Sequence, residues 1–161
     1  MARPFYRRIL LATDETRESL VALREGALIA LQSQAEVFLL VVATRGAGAS
    51  MADGIHALER PTHDPKLLAN GLERLKRLGL TASGAAAAGE PALLIGAAAR
   101  KFKADLVVVG HRRQHLLERW WSGASGAYII DQVACSVLVA RGGISDAEFE
   151  ALLDETESRR E

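Results

Sequence analysis

Hydrophobic residues in this chain fall into short unbroken runs, separated by longer stretches with helical spacing. Four runs stand out: ILLAT at 9–13, VFLLVVA at 37–43, DLVVVG at 105–110 and SVLVA at 136–140. Their Val, Ile and Leu residues are consecutive rather than alternating, which is what a strand buried on both faces of a parallel sheet requires. A fifth stretch, LTASGAAAAG at 80–89, is so rich in alanine that only its place in the series marks it as a strand. Between the runs, Leu20, Leu23, Ala27 and Leu31 recur at helical intervals, as do Leu68, Leu72 and Leu75 after Pro65. Glu90-Pro91 opens ALLIGAAARKF with proline at a first helical position, and AYIIDQV precedes the last run. The alternation of strand and helix predicts a doubly wound α/β fold, a parallel sheet with helices on both faces.

Two segments fall outside that rhythm. Residues 44–64, with Gly46, Gly48, Gly54 and Pro61, read as a loop or short helix of the kind that often lies over a binding site. After SVLVA, Gly142-Gly143 breaks the chain, dividing a main domain at 1–143 from a C-terminal helical extension at 144–161. Ser145 and Glu148 have capping-box spacing there, and Phe149, Leu152 and Leu153 form a narrow apolar stripe. One such stripe suits a helix packed on its own domain or one docked on a partner subunit.

Composition narrows the function classes. The chain has 161 residues, enough for one domain with a substantial core. Its 20 Lys+Arg balance 20 Asp+Glu, so the whole-chain electrostatic footprint of a nucleic-acid binder is missing. A single cysteine, Cys135, precludes an internal disulfide and suggests a reducing, cytoplasmic setting; its apolar neighbours suggest a buried, inert thiol. No stretch approaches the roughly 20 apolar residues of a membrane span, and Asp14 ends the N-terminal apolar run too early for a signal peptide.

Two strand ends carry candidate chemistry. The first apolar run stops at Thr13 and Asp14, where a carboxylate could accept hydrogen bonds from ribose hydroxyls or simply cap the next helix. The run at 105–110 ends in Gly110, and Gly123-Ala124-Ser125-Gly126 then leads into a helix. Glycines that turn amides into one concavity beside a helix N-terminus make an anion site, although glycine after a strand is also ordinary turn chemistry. Trp120 and Trp121 are adjacent and cannot both face the same way, so core, interface and cleft are all open to them. His111 and His115 have the spacing of two ligands on one helical face, but no third ligand is evident for zinc. No Gly-x-Ser-x-Gly elbow, P-loop lysine or assembled catalytic set is visible.

In this order the residues resemble the universal stress protein family, a five-stranded α/β fold. RRILLATDETRESLVAL is similar to its first strand and ligand-facing aspartate, and AEVFLLVVA to its second strand. GEPALLIGAAARKFKADLVVVG is similar to its third helix and fourth strand, and GASGAYIIDQVACSVLVAR to its closing helix and strand. The resemblance runs from about Arg8 to Arg141 and implies the strand order 3-2-1-4-5. ATP-binding members carry Gly-x2-Gly-x9-Gly-Ser/Thr after the fourth strand. Here Gly110, His111 and Arg112 lead to Arg113 where the second glycine belongs. Gly123 is in register, and Ala124 replaces the hydroxyl residue ahead of Ser125. Asp14 matches the aspartate that contacts ribose, and Val42 a position whose backbone meets adenine.

The resemblance therefore implies a binding and signalling module in stress response whose half-intact motif leaves two alternatives open, a cleft that takes ATP with Mg alongside it and one that takes neither. Its phosphate loop would be altered, with Arg112 and Arg113 holding by side chain what glycine amides hold elsewhere. It also implies a homodimer formed through Ser136 to Ala140, which would otherwise be an exposed sheet edge. A non-nucleotide homodimeric interaction module with a closed cleft is the alternative, and slow ATP hydrolysis a third reading for which no catalytic residues can be named. An unidentified protein partner is compatible with each; nucleic acid and membrane are not expected.

Overall fold

The computed structural model describes residues 4–14, 20–43, 65–110 and 129–160. Five strands, β1 (Arg8–Thr13), β2 (Glu36–Ala43), β3 (Ala82–Ala88), β4 (Leu106–Gly110) and β5 (Ser136–Ala140), form one parallel sheet of order β3-β2-β1-β4-β5. The helices described with it are α1 (Leu20–Ser33), α2 (Pro65–Arg77), α3 (Pro91–Phe102), α4 (Ile129–Gln132) and α5 (Asp146–Ser158). The expected doubly wound α/β fold and its strand order are therefore observed. The alanine-rich stretch is indeed a strand, held in register by Val37↔Ala82 through Ala43↔Ala88.

The consecutive apolar runs are explained by a core on each face. Along β1, Ile9 and Leu11 point into one core while Leu10 and Ala12 point into the other. The same two-residue period divides Leu39 and Val41 from Leu40 and Val42, and Leu106 and Val108 from Val107 and Val109. On the first face α1, α2 and α5 contribute Leu23, Ala27, Leu75, Phe149 and Leu153; on the second, α3 and α4 contribute Ala92, Ile95 and Ile129. At Gly26, an added Cβ would collide with the Leu11 side chain, so glycine sets how closely α1 lies on β1.

The C-terminal helix packs on the chain's own body. Ser145 and Glu148 form the expected capping box: the Ser145 hydroxyl accepts from the Glu148 amide, and the Glu148 carboxylate accepts from the Ser145 amide. Of the apolar stripe, Phe149 and Leu153 are fully buried and Leu152 is half-buried. Cys135 departs from expectation, being only partly buried. It immediately precedes β5, an edge strand covered on one side by β4, and this edge shields it less than a central strand would.

Candidate functional site

In an open parallel sheet the concavity for a ligand forms beyond the carboxyl ends of the strands, where neighbouring strands send their connections in opposite directions. Here that point lies between β1 and β4: the chain proceeds outward through β2 and β3 on one side, and through β5 on the other. The register Ala12↔Val109 brings Thr13 and Gly110 to adjacent strand ends. Thr13 pairs with Val41 on the other side, and Val42 follows it. Four of the sequence-selected positions, Thr13, Asp14, Val42 and Gly110, thus converge on one end of the sheet from three neighbouring strands.

Their burial differs in a useful way. Val42 is wholly inside the second core, so its backbone rather than its side chain is what the rim can present. Among the described residues, Thr13 and Asp14 are the polar residues buried at this end, Asp14 with 9% of its surface exposed. Gly110 is half-buried and ends β4 without entering the left-handed region, so its backbone there requires no special conformation. His111, Arg112, Arg113, Gly123, Ala124 and Ser125 lie outside the described residues, as do Trp120, Trp121, His115 and the 44–64 segment.

Sequence patterning assigned no binding role to the start of α3, yet it reaches the same rim. The Gly89 amide donates to the Ala43 carbonyl at the end of β2 (3.4 Å), and Pro91 begins the helix directly after Glu90. Glu90 holds the N-cap position in extended backbone, and its side chain caps no amide. The signal in the sequence is the Glu-Pro pair, a helix start lacking the Ser, Thr, Asp or Asn that usually caps one. α3 therefore adds its positive dipole end to the rim that holds Val42 and Ala43.

Other hollows lie elsewhere among the described residues. One of about 600 Å³ lies at the opposite, amino end of the sheet, lined by Phe5, Tyr6, Ala104, Asp105, Cys135 and Ser136. Its carboxylate is structural, because Asp105 accepts from the Arg7 amide (2.8 Å) and the Arg8 amide (3.0 Å). The Cys135 thiol is pushed up from its usual pKa, first by burial and then by the charge of Asp105, which disfavours the nucleophilic thiolate. Among the described residues no three His, Cys, Asp or Glu side chains cluster to hold a metal, and no helix is long and apolar enough to cross a membrane.

The same topology recurs in solved proteins. A universal stress protein in complex with cAMP is 24% identical, with a TM-score of 0.59 over 84% of this chain and 97% of its own. Universal stress protein UspA from Lactobacillus plantarum is 23% identical, with a TM-score of 0.62 over 88% of this chain and 100% of its own. The universal stress protein from Archaeoglobus fulgidus in complex with dAMP is 20% identical, with a TM-score of 0.54 over 83% and 97%. No curated relative matches at significant similarity. Identities this low carry the fold and not the ligand. The sequence profile of the universal stress protein family, however, matches residues 5–141, which span the sheet from the approach to β1 through the end of β5, and the chain belongs to that family.

Proposed function

We propose that this chain is a nucleotide-responsive binding and signalling module of stress response, with the adenine nucleotide seated at the carboxyl ends of β1 and β4. The observation that carries the reading is Asp14: a carboxylate, nine-tenths buried, at the strand end beside the crossover point. Such a group accepts hydrogen bonds from a ribose, while Val42 offers backbone to the base. Structural neighbours in complex with cAMP and dAMP support the ligand class. For ATP with Mg, the departures at Arg113 and Ala124 shift the work from loop amides to the guanidinium groups of Arg112 and Arg113. No catalytic step is assigned.

The reading includes a homodimer in a reducing, cytoplasmic setting. Val137, Leu138 and Val139 lie against the two cores yet are only half-buried, because β5 has one neighbour in the sheet. Pairing with a second copy would satisfy that edge.

Calorimetric titration with AMP, ATP and Mg-ATP, in parallel with tryptophan fluorescence, tests the nucleotide reading. Saturable binding that Asp14→Ala weakens at least ~10-fold, about 1.4 kcal/mol, is the expected result. Absence of heat and of fluorescence change at millimolar nucleotide would leave the dimeric interaction module as the better account.

A further inference from the structure

The end of the sheet that holds the candidate site is stepped. Pairing of β1 with β2 stops at Thr13↔Val41, whereas pairing of β2 with β3 runs on to Ala43↔Ala88. Two residues of β2 rise beyond the last pair with β1, a wall of about 7 Å at roughly 3.3 Å per residue. Backbone direction alternates along β2. The Glu36 amide donates to the Arg7 carbonyl, ahead of β1, and the Val37 amide to the Thr81 carbonyl, ahead of β3. Even-numbered residues of β2 thus turn their peptide groups toward β1, and Val42 does so at the step.

α3 closes one face of this step. It packs on β1 and β2, and its approach is pinned by the Gly89 amide on the Ala43 carbonyl. The two-residue period that places Leu10 and Ala12 in the second core brings Asp14 to the same face as α3. Glu90, the N-cap residue of α3, is half-buried there. Among the described residues no group hydrogen-bonds or ion-pairs with its carboxylate. Two carboxylates thus share this face, Asp14 at the end of β1 and Glu90 just beyond β3. The strands that carry them are two spacings apart, about 10 Å, which is the reach of a nucleoside from its ribose hydroxyls to the far edge of its base.

Charge decides which part of a nucleotide lies at each end. A phosphate beside Glu90 would meet a like charge, at the place where a helix start otherwise favours anions. A base edge carrying an N–H donor meets an acceptor instead. A nucleotide whose ribose is held by Asp14 therefore directs its base along the Val42 wall toward Glu90, and its phosphate the other way, toward Gly110 on β4.

We propose that Glu90 determines specificity for the base, accepting a hydrogen bond from the exocyclic amine of adenine and rejecting a 6-oxo purine in its place. This rests on the nucleotide reading of the site and names the group that reads the base. A 6-oxo purine sets an oxygen against the carboxylate, acceptor facing acceptor.

Calorimetric titration of the full chain with AMP and with inosine monophosphate tests it. The unaltered protein is expected to bind AMP at least roughly tenfold more tightly. Glu90→Gln, whose amide can accept or donate, brings the two ligands within about threefold of each other. Glu90→Ser does the same while supplying the cap that α3 lacks, so its melting temperature holds or rises. Asp14→Ala weakens both ligands and leaves their ratio standing, because both carry the same ribose.

A preference for AMP that survives in both Glu90 variants overturns the inference and leaves the nucleotide reading intact. Equal binding of the two ligands by the unaltered protein, or tighter binding of inosine monophosphate, does the same. A melting temperature lowered in Glu90→Gln with the ratio unchanged makes Glu90 a part of the α3 start alone, and also overturns it. Absence of binding by either ligand overturns the nucleotide reading and the base contact together.

Discussion

Removing the Phe149 ring is the sharpest probe of how this domain is held together. Phe149 is wholly buried in the core, although it stands only twelve residues from the end of the sequence. Truncating a buried phenylalanine to alanine costs about 3–5 kcal/mol, from lost transfer energy and the cavity left behind. About 0.5–1 kcal/mol of that belongs to the Arg74 guanidinium over the ring. For a chain of this length, each kcal/mol moves the melting temperature by roughly 2–4 °C, so Phe149→Ala should melt roughly 6–20 °C lower. Leu152→Ala is the control, since Leu152 is three residues further along α5 but only half-buried, and it should lose about 1 kcal/mol.

The assay is a calorimetric melt together with amide exchange resolved by element. If α5 is part of the cooperative unit, protection falls across β1, β2 and β4 as well as across 146–158. If α5 instead opens on its own, the loss is confined to 146–158 and is capped at the free energy of docking. A change below about 1 kcal/mol, with tail protection unaltered, would refute the assignment of Phe149 to the shared core.

Further outcomes are expected from other parts of the molecule. Gly84→Ala should destabilise by about 1–3 kcal/mol in urea titrations, because the new methyl would meet the Leu39 carbonyl of the neighbouring strand and the Leu68 side chain. Asp105→Ala removes the acceptor of the Arg7 and Arg8 amides and should cost about 1–3 kcal/mol, read as a lower urea midpoint. Asp146 is held below the usual carboxylate range chiefly by its hydrogen bond from Arg74, and Glu157 by that from Arg77. Both folded values lie below the unfolded ones, so this stabilisation is fully present above pH about 4–5 and lost as the pH falls through the lower folded values. The urea midpoint should therefore be flat from pH 8 to about 5 and fall below about 4, with a shallower acid limb in Asp146→Asn. Cys135, its thiol raised by burial, should react with iodoacetamide at neutral pH more slowly than free cysteine.

Much of this was legible in the order of residues because burial on both faces leaves a distinctive mark. Runs such as VFLLVVA and LVVVG are what strands covered from two sides require, and their alternation with helical spacing predicts the parallel α/β layout. The glycine, proline and Ser145–Glu148 signals mark element ends by local backbone chemistry alone, and the helix caps obey them. The family resemblance rested on the same local features, together with Asp14 and Gly110 at two strand ends. These properties are set within a few residues of one another, so the linear sequence contains them.

Other properties depend on groups distant in sequence meeting in space. Nothing in ASGAAAA distinguishes a strand from a helix; pairing with β2 decides it, through hydrogen bonds that an isolated segment could not make. Cys135 looks interior from its neighbours, but its place beside an edge strand leaves it partly exposed. The stripe of α5 is compatible with any apolar partner. What selects its own body is the convergence of Arg24, Arg74 and Arg77 from two other helices, over a seat supplied by Leu75 and Leu78. Local propensity and periodicity determine which segments form and which face they hide. Which segment covers which, and therefore where Asp14, Thr13, Val42 and Gly110 come together, is decided by long-range packing, because burial is a property of the assembled layers and not of any one of them.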